Sequence, residues 1–163
     1  TRAYTDHHHH HHQRQQLQKD EKCFPSSVGT KQDLDRQLQL YLQNCAIQVN
    51  ARHMAAVAAT FANRGIQPVT RERVFSVDVV RNTLSAMFSC GMYDESGEFA
   101  YSIGLPAKSS VSGAVMVVVP GLMGICVWSP RLNRVGNSVR AMEFCKRLTQ
   151  RFTFHIFDDM ESM

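Results

Sequence analysis

Between residues 33 and 91, hydrophobic residues recur at intervals of three and four positions, which predicts helices that each bury one face. Turn and capping residues separate three such stretches. Gly65 stands where a left-handed helix end is expected, and Ser76 is a typical N-terminal cap. The predicted helices cover 33–49, 51–63 and 77–90, and Gly91 ends the last of them.

After Tyr93 the helical spacing gives way to short apolar runs that are typical of strands. Residues 94–97, Asp-Glu-Ser-Gly, have the composition of a turn. The short connections that follow favour antiparallel neighbours. The predicted strands are 99–103, 114–119 and 123–128, and a final helix runs from a cap at Asn137 or Ser138 to about Phe152. Because helices and strands do not alternate, a doubly wound parallel sheet is disfavoured.

Residues 1–31 differ in composition from the rest of the chain. They are polar and include six consecutive histidines, His7 to His12, followed by a glutamine-rich stretch. Such a segment cannot bury enough apolar surface to offset the entropy lost on ordering. The sequence therefore predicts a low-complexity, disordered segment over 1–31 and a folded domain over 32–163. The histidines could bind a transition metal, but a purification tag or a natural His/Gln repeat also explains them, and the continuation into glutamines favours a natural repeat.

Composition and charge exclude several functional classes. The chain has 163 residues, of which 44% are hydrophobic and 20% charged, as in ordinary globular domains. Its net charge of +4 comes from scattered basic residues without interleaved aromatics, which argues against nucleic-acid binding. No apolar run is long enough to span a bilayer, which argues against a membrane partner. The five cysteines form no C-x-x-C pair, which argues against a disulfide framework or zinc ribbon and indicates mostly buried, reduced thiols in a cytosolic or matrix compartment.

Residues 104–113, Gly-Leu-Pro-Ala-Lys-Ser-Ser-Val-Ser-Gly, are the most informative stretch for chemistry. Small residues at the start of an apolar strand let a substrate approach the backbone, where amide N–H groups can bind an oxyanion. Lys108 can complement a substrate carboxylate. A polar entrance to a strand, without any site, explains the same composition.

The stretch also resembles a known motif. Lys108-Ser109-Ser110 resembles the Lys-[Ser/Thr]-Gly strand motif of the penicillin-recognising serine enzymes, and 104–109 is similar to its glutaminase version. Other stretches resemble glutaminases in the same order along the chain: 22–25, 54–60, 63–65 with Pro68, 73–76, 80–85, 90–94, 128–133, 136–139 and 154–155. The resemblance covers about 22–158 and is to the C-terminal half of the glutaminase catalytic domain.

This resemblance implies hydrolysis of L-glutamine to L-glutamate and ammonia. Acyl transfer would go to a serine that the lysine of a Ser-x-x-Lys pair activates and that a tyrosine assists. It implies an α+β fold, part of the serine β-lactamase-like one, with a helical cluster followed by an antiparallel sheet and a C-terminal helix. No metal or organic cofactor is implied. Animal members are commonly mitochondrial tetramers, so a homo-oligomer is expected, in mitochondria if the source is an animal and otherwise in the cytoplasm.

Roles in the family carry over to particular residues of this chain. Tyr93 matches the catalytic tyrosine that helps to move the proton of the nucleophile. Tyr41 matches a tyrosine that binds the substrate, and Val111 matches the residue whose backbone N–H contributes to the oxyanion hole. Lys108 and Ser109 match the strand motif beside the substrate. Without the resemblance, Tyr93 suits an ordinary core tyrosine and Tyr41 an ordinary position on a helix face. His53 and His155 match no catalytic role and are interpreted as structural or surface residues.

The sequence also departs from the family. No serine stands three residues before a lysine, and the Glu and Asn of the family's substrate-binding set have no visible counterpart in 1–18. We therefore expect the nucleophile segment to be missing from this chain. Ser110 occupies a position where the family usually has glycine, and Ser112 replaces the first of a glycine pair. The family's sheet has further strands, so the edge at 124–128 is expected to be unpaired and to promote self-association.

Three functions remain open from the sequence. The chain is part of an active glutaminase, a catalytically inactive glutaminase-like module for oligomerisation or interaction, or a different amide hydrolase or penicillin-recognising enzyme on the same scaffold. An upstream Ser-x-x-Lys would favour the first over the second. The Met-Tyr-Asp and Trp-Ser-Pro stretches disfavour the third.

Overall fold

The computed structural model describes residues 31–158, which divide into two compact units at the boundary between Gln48 and Val49. The histidine run, the stretch 22–25 and Cys23 lie outside the described residues. The division into a low-complexity segment over 1–31 and a domain over 32–163 stays a prediction.

The first unit is built on one helix, α1, Lys31–Cys45. It ends four residues before the predicted end at Val49. Its leucines follow the predicted helical spacing, yet Leu34, Leu38 and Leu42 are between 52% and 59% exposed. This apolar row is therefore a surface feature of the described chain.

The second unit contains the remaining elements. Side-chain oxygens cap three of its helices: Asn50 accepts from the His53 N–H, Ser76 from the Val79 N–H, and Ser138 from the Ala141 N–H. The cap predicted at Ser76 is thus confirmed, and Ser138 rather than Asn137 begins the last helix. In chain order the elements are α2 Ala51–Ala62, α3 Val77–Cys90, a 3-10 helix Tyr93–Glu95, α4 Ser96–Ser102, β1 Ala107–Ser109, β2 Ala114–Val119, β3 Met123–Trp128 and α5 Val139–Arg151.

The three strands form an antiparallel sheet in the order β1-β2-β3, so β2 is central among the described strands. Successive side chains of β2 point to opposite faces and separate two apolar cores. Val115 and Val117 lie in one core with residues of α4 and α5. Met116 and Val118 lie in the other with residues of α2 and α3. The sheet is therefore covered by helices on both faces, and the predicted α+β class is confirmed. Self-association through the outer edge of β3 stays a prediction.

The predicted strand 99–103 is wrong, because this segment is the helix α4. Phe99 and Ile103, four residues apart, are 2% and 3% exposed, whereas Tyr101 between them is 88% exposed. A strand would place all three on one face, while a helix places only the outer two together. Ser96, which the sequence assigns to a turn, anchors the start of this helix by accepting the Met92 N–H at 2.9 Å. The first strand is instead β1, within the stretch 104–113.

The cysteines differ in accessibility. All four described cysteines are unpaired, and Cys145 alone is buried, although mostly buried thiols were expected. Cys45 and Cys90, the last residues of α1 and α3, are exposed. Burial raises the pKa of the Cys145 thiol to about 12 from its ordinary value of 9.0.

We expect Cys145 to resist thiol reagents in the folded chain. A pKa difference of three units lowers the thiolate fraction at pH 8 by about a thousandfold, and the thiolate is the reactive species. Iodoacetamide labelling followed by mass spectrometry should modify Cys90 at least a hundredfold faster than Cys145, and denaturant should remove the difference. Because the unfolded chain releases this proton at lower pH, the stability from Cys145 is complete below pH 9 and falls as the pH rises towards 12. Equal labelling of Cys90 and Cys145 in the native chain would contradict the expected protection of Cys145.

Candidate functional site

Tyr93 adopts a backbone conformation that non-glycine residues rarely take. It follows α3 and opens the 3-10 helix with φ of +53°. A left-handed residue of this kind costs roughly 1–2 kcal/mol and persists only where neighbours hold it. Ser96 is such a neighbour, since its hydroxyl donates to the Tyr93 carbonyl at 2.7 Å and accepts the Met92 N–H. Such strain is concentrated at functional sites.

A close approach of two backbones brings Tyr93 beside β1. The Ser109 N–H donates to the Gly91 carbonyl at 3.0 Å. A Cβ at Gly91 would lie only 1.8 Å from the Ala107 carbonyl oxygen, so glycine is needed here for space. The ammonium of Lys108 then lies 5.0 Å from the centre of the Tyr93 ring, a cation–π distance. The structure thus brings Tyr93 and Lys108 together.

The side chains of β1 alternate in exposure. Lys108 is exposed, whereas Ala107 and Ser109 are buried. The Ser109 hydroxyl has no hydrogen-bond partner among residues 31–158. Ser109 is therefore directed to the buried face of β1 and Lys108 to its exposed face. A role for both in shaping the site stays a prediction.

Val111 lies at the tip of the β1–β2 hairpin. The Gly113 N–H donates to the Ser110 carbonyl at 2.9 Å, and Gly113 has φ of +89°, which makes a tight turn with Val111 at its second position. The Val111 side chain is 71% exposed. Within the described part of the chain its backbone N–H donates to no acceptor. A backbone N–H without a partner is what an oxyanion hole requires.

The two serines flanking Val111 interact with each other. Their hydroxyl oxygens are 3.0 Å apart, and the Ser110 hydroxyl also accepts the Ser112 N–H at 3.3 Å. The Trp128 indole N–H donates to the Ser112 carbonyl at 3.0 Å. The turn therefore accommodates both serines, and their hydroxyls add polar groups beside the Val111 amide.

Gly136 completes the cluster, because it lies against both Tyr93 and Val111. A Cβ at this position would be 3.6 Å from Cε2 of Tyr93 and 3.8 Å from Cγ1 of Val111. Its φ of +99° also favours glycine. Tyr93, Lys108, Val111 and Gly136 thus form one site, which we call the Tyr93 cluster.

Tyr41 belongs to α1 in the first unit, and its side chain is 63% exposed. A side-chain hydrogen bond with Cys45, one helical turn further on, raises the pKa of its hydroxyl. The Tyr93 cluster is built from residues of the second unit. Substrate binding by Tyr41 stays a prediction.

The two histidines lie in structural positions. The His155 ring covers Gly104, where a Cβ would be 2.1 Å from the ring, and its Nδ1 accepts the Phe157 N–H at 3.2 Å. His53 contributes its backbone N–H to the N-terminal cap of α2. Neither observation gives them a chemical role.

Three polar residues behind the Tyr93 cluster were missed by the sequence reasoning: Glu95, Asn133 and Asn137. The sequence assigns Glu95 to a turn. Both asparagines fall in family-like stretches, and Asn137 is otherwise considered only as a possible helix cap. In the structure, hydrogen bonds connect Glu95 to Asn133, which is 38 positions away, and to Asn137, which is 42 positions away. The turn composition of 133–137, Asn-Arg-Val-Gly-Asn, is the one local signal that could have drawn notice.

Neither a metal centre nor a membrane-spanning helix occurs in 31–158. No group of three or more His, Cys, Asp or Glu in this range could hold a metal ion. No helix of the same residues is long and apolar enough to cross a bilayer.

Comparison with known proteins supports the resemblance seen in the sequence. The glutaminase family profile matches residues 3–157. The mitochondrial liver isoform of glutaminase from Mus musculus is 50% identical over 142 residues, which are 87% of this chain and 23% of the mouse protein. A glutaminase from Nostoc is 46% identical over 129 residues, which are 79% of this chain and 39% of that protein. The chain therefore spans between 23% and 39% of the length of these relatives.

A solved structure gives the same assignment. It is a covalent complex between a Bacillus subtilis glutaminase and 5-oxo-L-norleucine, formed by reaction with 6-diazo-5-oxo-L-norleucine. It superposes with a TM-score of 0.71 and 34% identity over 74% of this chain and 43% of that one. The expected partial β-lactamase-like fold is thereby confirmed. The chain belongs to the glutaminase family.

Proposed function

We propose that this chain is the C-terminal part of a glutaminase catalytic domain that hydrolyses L-glutamine to L-glutamate and ammonia. The observation that carries the proposal is the Tyr93 cluster, in which the Lys108 ammonium lies 5.0 Å from the Tyr93 ring and Val111, whose backbone N–H is free, flanks the same glycine, Gly136, as Tyr93. The Bacillus subtilis relative supports the substrate class, because it forms a covalent complex after reaction with 6-diazo-5-oxo-L-norleucine.

Each member of the cluster suits one step of acyl transfer. A serine oxygen attacks the side-chain amide carbon of glutamine, and negative charge develops on the carbonyl oxygen. The free Val111 N–H donates to that oxygen. The Tyr93 hydroxyl carries the proton of the serine to the departing ammonia, and water then cleaves the acyl-serine to give glutamate. Lys108, exposed beside the Tyr93 ring, complements the α-carboxylate of the substrate.

The serine itself comes from outside these 163 residues. No serine in the sequence stands three positions before a lysine. The chain covers only 23% of the mouse relative. The proposal therefore places the Ser-x-x-Lys pair in a segment of the gene product beyond this sequence.

A catalytically inactive interaction module is the second candidate. Ser110 and Ser112 favour it, because they flank Val111 in the sequence and their hydroxyl oxygens lie 3.0 Å apart. The family usually has glycine at these positions, so both side chains add bulk and polarity to the turn that carries this amide.

Ammonia release from L-glutamine distinguishes the two. We expect no activity from the 163-residue chain and clear activity from a polypeptide extended upstream in the gene. In the active form, 6-diazo-5-oxo-L-norleucine should label one serine, which peptide mass spectrometry would locate. Replacing that serine with alanine should abolish both signals. An inactive extended protein that regains activity with Ser110→Gly and Ser112→Gly would indicate a lost enzyme, and silence throughout would favour the interaction module.

We further propose that the protein works as a homo-oligomer in mitochondria. The mouse and rat relatives are mitochondrial liver isoforms, which supports the location. The exposed leucine row of α1 supports an association surface, since contiguous apolar patches commonly mark interfaces. Light scattering of the extended protein and of its Leu38→Gln variant would test the homo-oligomer.

A further inference from the structure

The carboxylate of Glu95 connects two segments that are distant in sequence. Glu95 ends the 3-10 helix that Tyr93 opens. The Asn133 side-chain amide donates to its two oxygens at 2.8 and 2.9 Å, and that of Asn137 donates to one of them at 2.7 Å. Hydrogen bonds to an ionised acceptor are roughly twice as strong as neutral ones. Glu95 is therefore a strong link between this 3-10 helix and the loop 133–137.

The loop is also closed by bonds of its own. The Asn133 side-chain oxygen accepts the N–H groups of Val135 and Asn137 at 3.2 and 2.9 Å. The Asn133 N–H donates to the Asn137 carbonyl at 2.7 Å, and the Gly136 N–H donates to the Asn133 carbonyl at 3.2 Å. Gly136 consequently has little freedom to move relative to the two asparagines.

Asn137 ties the loop to the residue before Tyr93 as well. Its side chain is fully buried, and its amide donates to the Met92 carbonyl at 3.0 Å. Both partners, the Met92 carbonyl and the Glu95 carboxylate, are acceptors. The nitrogen of the Asn137 side chain, and not its oxygen, must therefore point towards them. The segment that holds Tyr93 is thus anchored to the same loop on both sides of Tyr93.

We propose that Glu95, Asn133 and Asn137 position Tyr93 for catalysis. The three side chains hold the loop that carries Gly136, where an added Cβ would lie 3.6 Å from the Tyr93 ring and 3.8 Å from Cγ1 of Val111. The link therefore holds the segment that carries Tyr93 and the loop next to the Val111 side chain in one arrangement. Glu95 is a positioning residue and does not touch the substrate. The inference rests on the proposed function for its consequence, while its geometry can be tested without any activity.

Glu95→Gln is the direct test, with Glu98→Gln as the matched control. Glutamine keeps one acceptor oxygen and replaces the other with a donor, which would face the Asn137 or Asn133 amide. Glu98 lies three residues further on in α4, is exposed, and its carboxylate has no partner in the described part of the chain. Both changes remove one negative charge.

The primary measurement is proton NMR of the 163-residue chain with labelled tyrosine, in which Tyr93→Phe identifies the Tyr93 signals. We expect nuclear Overhauser contacts from the Tyr93 ring to Gly136 and to the Val111 methyls in the native chain and in Glu98→Gln. Glu95→Gln should lose them while Cys145 remains protected from iodoacetamide. Unchanged contacts in Glu95→Gln would overturn the proposal.

Glu95→Asp provides a milder second variant, because it keeps both oxygens and withdraws them by one methylene. Weakened contacts with an intact fold support the proposal. Global unfolding of both Glu95 variants would show a role in the whole fold and would overturn it. In the extended protein we expect Glu95→Gln to lower kcat about tenfold or more with KM within about twofold, since misplaced catalytic groups act mainly on the chemical step. If that protein has no activity, the proposed function fails, while the NMR result still decides the positioning.

Discussion

Replacing Gly91 with alanine should destabilise the second unit by about 3 kcal/mol or more, as overpacking against a backbone atom does. The new Cβ would lie 1.8 Å from the Ala107 carbonyl oxygen and 2.4 Å from that of Met87. Both are backbone atoms and cannot turn away as a flexible side chain would. Since Gly91 has an ordinary φ of −77°, the expected loss comes from space and not from backbone conformation. Urea unfolding followed by circular dichroism would measure it.

Gly97→Ala is the matched control for this change. Gly97 lies in α4, and a Cβ there would meet no atom within 4 Å. Because alanine is the better helix former, this variant should be stabilised by up to about 1 kcal/mol. A Gly91→Ala protein as stable as Gly97→Ala would refute the close approach of α3 to β1.

The change at Gly91 should also reach the site. Moving β1 away from residue 91 breaks the hydrogen bond from the Ser109 N–H and carries Lys108 away from the Tyr93 ring. Any Gly91→Ala protein that folds should therefore lose the NMR contact between Lys108 and Tyr93. In this region the same glycine supports both the packing of the fold and the assembly of the site.

The elements that could be predicted from the sequence are those with a local signal. Helical spacing and the Ser76 cap place α3 correctly, and the uninterrupted apolar run before Pro120 places β2 correctly. The strand predicted at 99–103 is wrong because five residues with aromatic and β-branched members fit a strand as well as a helix. Its helical form depends on the Ser96 hydroxyl and on burial of Phe99 and Ile103, which are tertiary contacts.

The site is harder to predict because its members meet through non-local contacts. Resemblance to a family, and not composition or spacing, singles out Tyr93 and Val111. The composition of 104–113 also points to Lys108, but a polar entrance to a strand explains it too. Their assembly depends on the approach of Gly91 to β1 and on the loop that carries Gly136. Bonds between residues as far apart as Glu95 and Asn137 leave no periodic pattern in a single sequence.

Tyr93→Phe in the extended protein should lower kcat by about 10²- to 10⁴-fold, the usual loss when a positioned acid–base group is removed. The fold should not change, because the ring keeps its contacts with Lys108 and Gly136 and the hydroxyl has no hydrogen-bond partner within residues 31–158. Steady-state ammonia release would give kcat and KM, and thermal unfolding would show equal stability.

Tyr101→Phe removes the same hydroxyl from a position in α4 that is 88% exposed, and it should leave kcat unchanged. This control separates the loss of a particular proton carrier from a general effect of fewer tyrosines. If Tyr93→Phe keeps kcat within about threefold of the native value, Tyr93 does not carry the proton. The left-handed backbone at Tyr93 and the Glu95 link would then act by placing Val111 through Gly136. In that case substitutions of Gly136, and not Tyr93→Phe, should lower kcat.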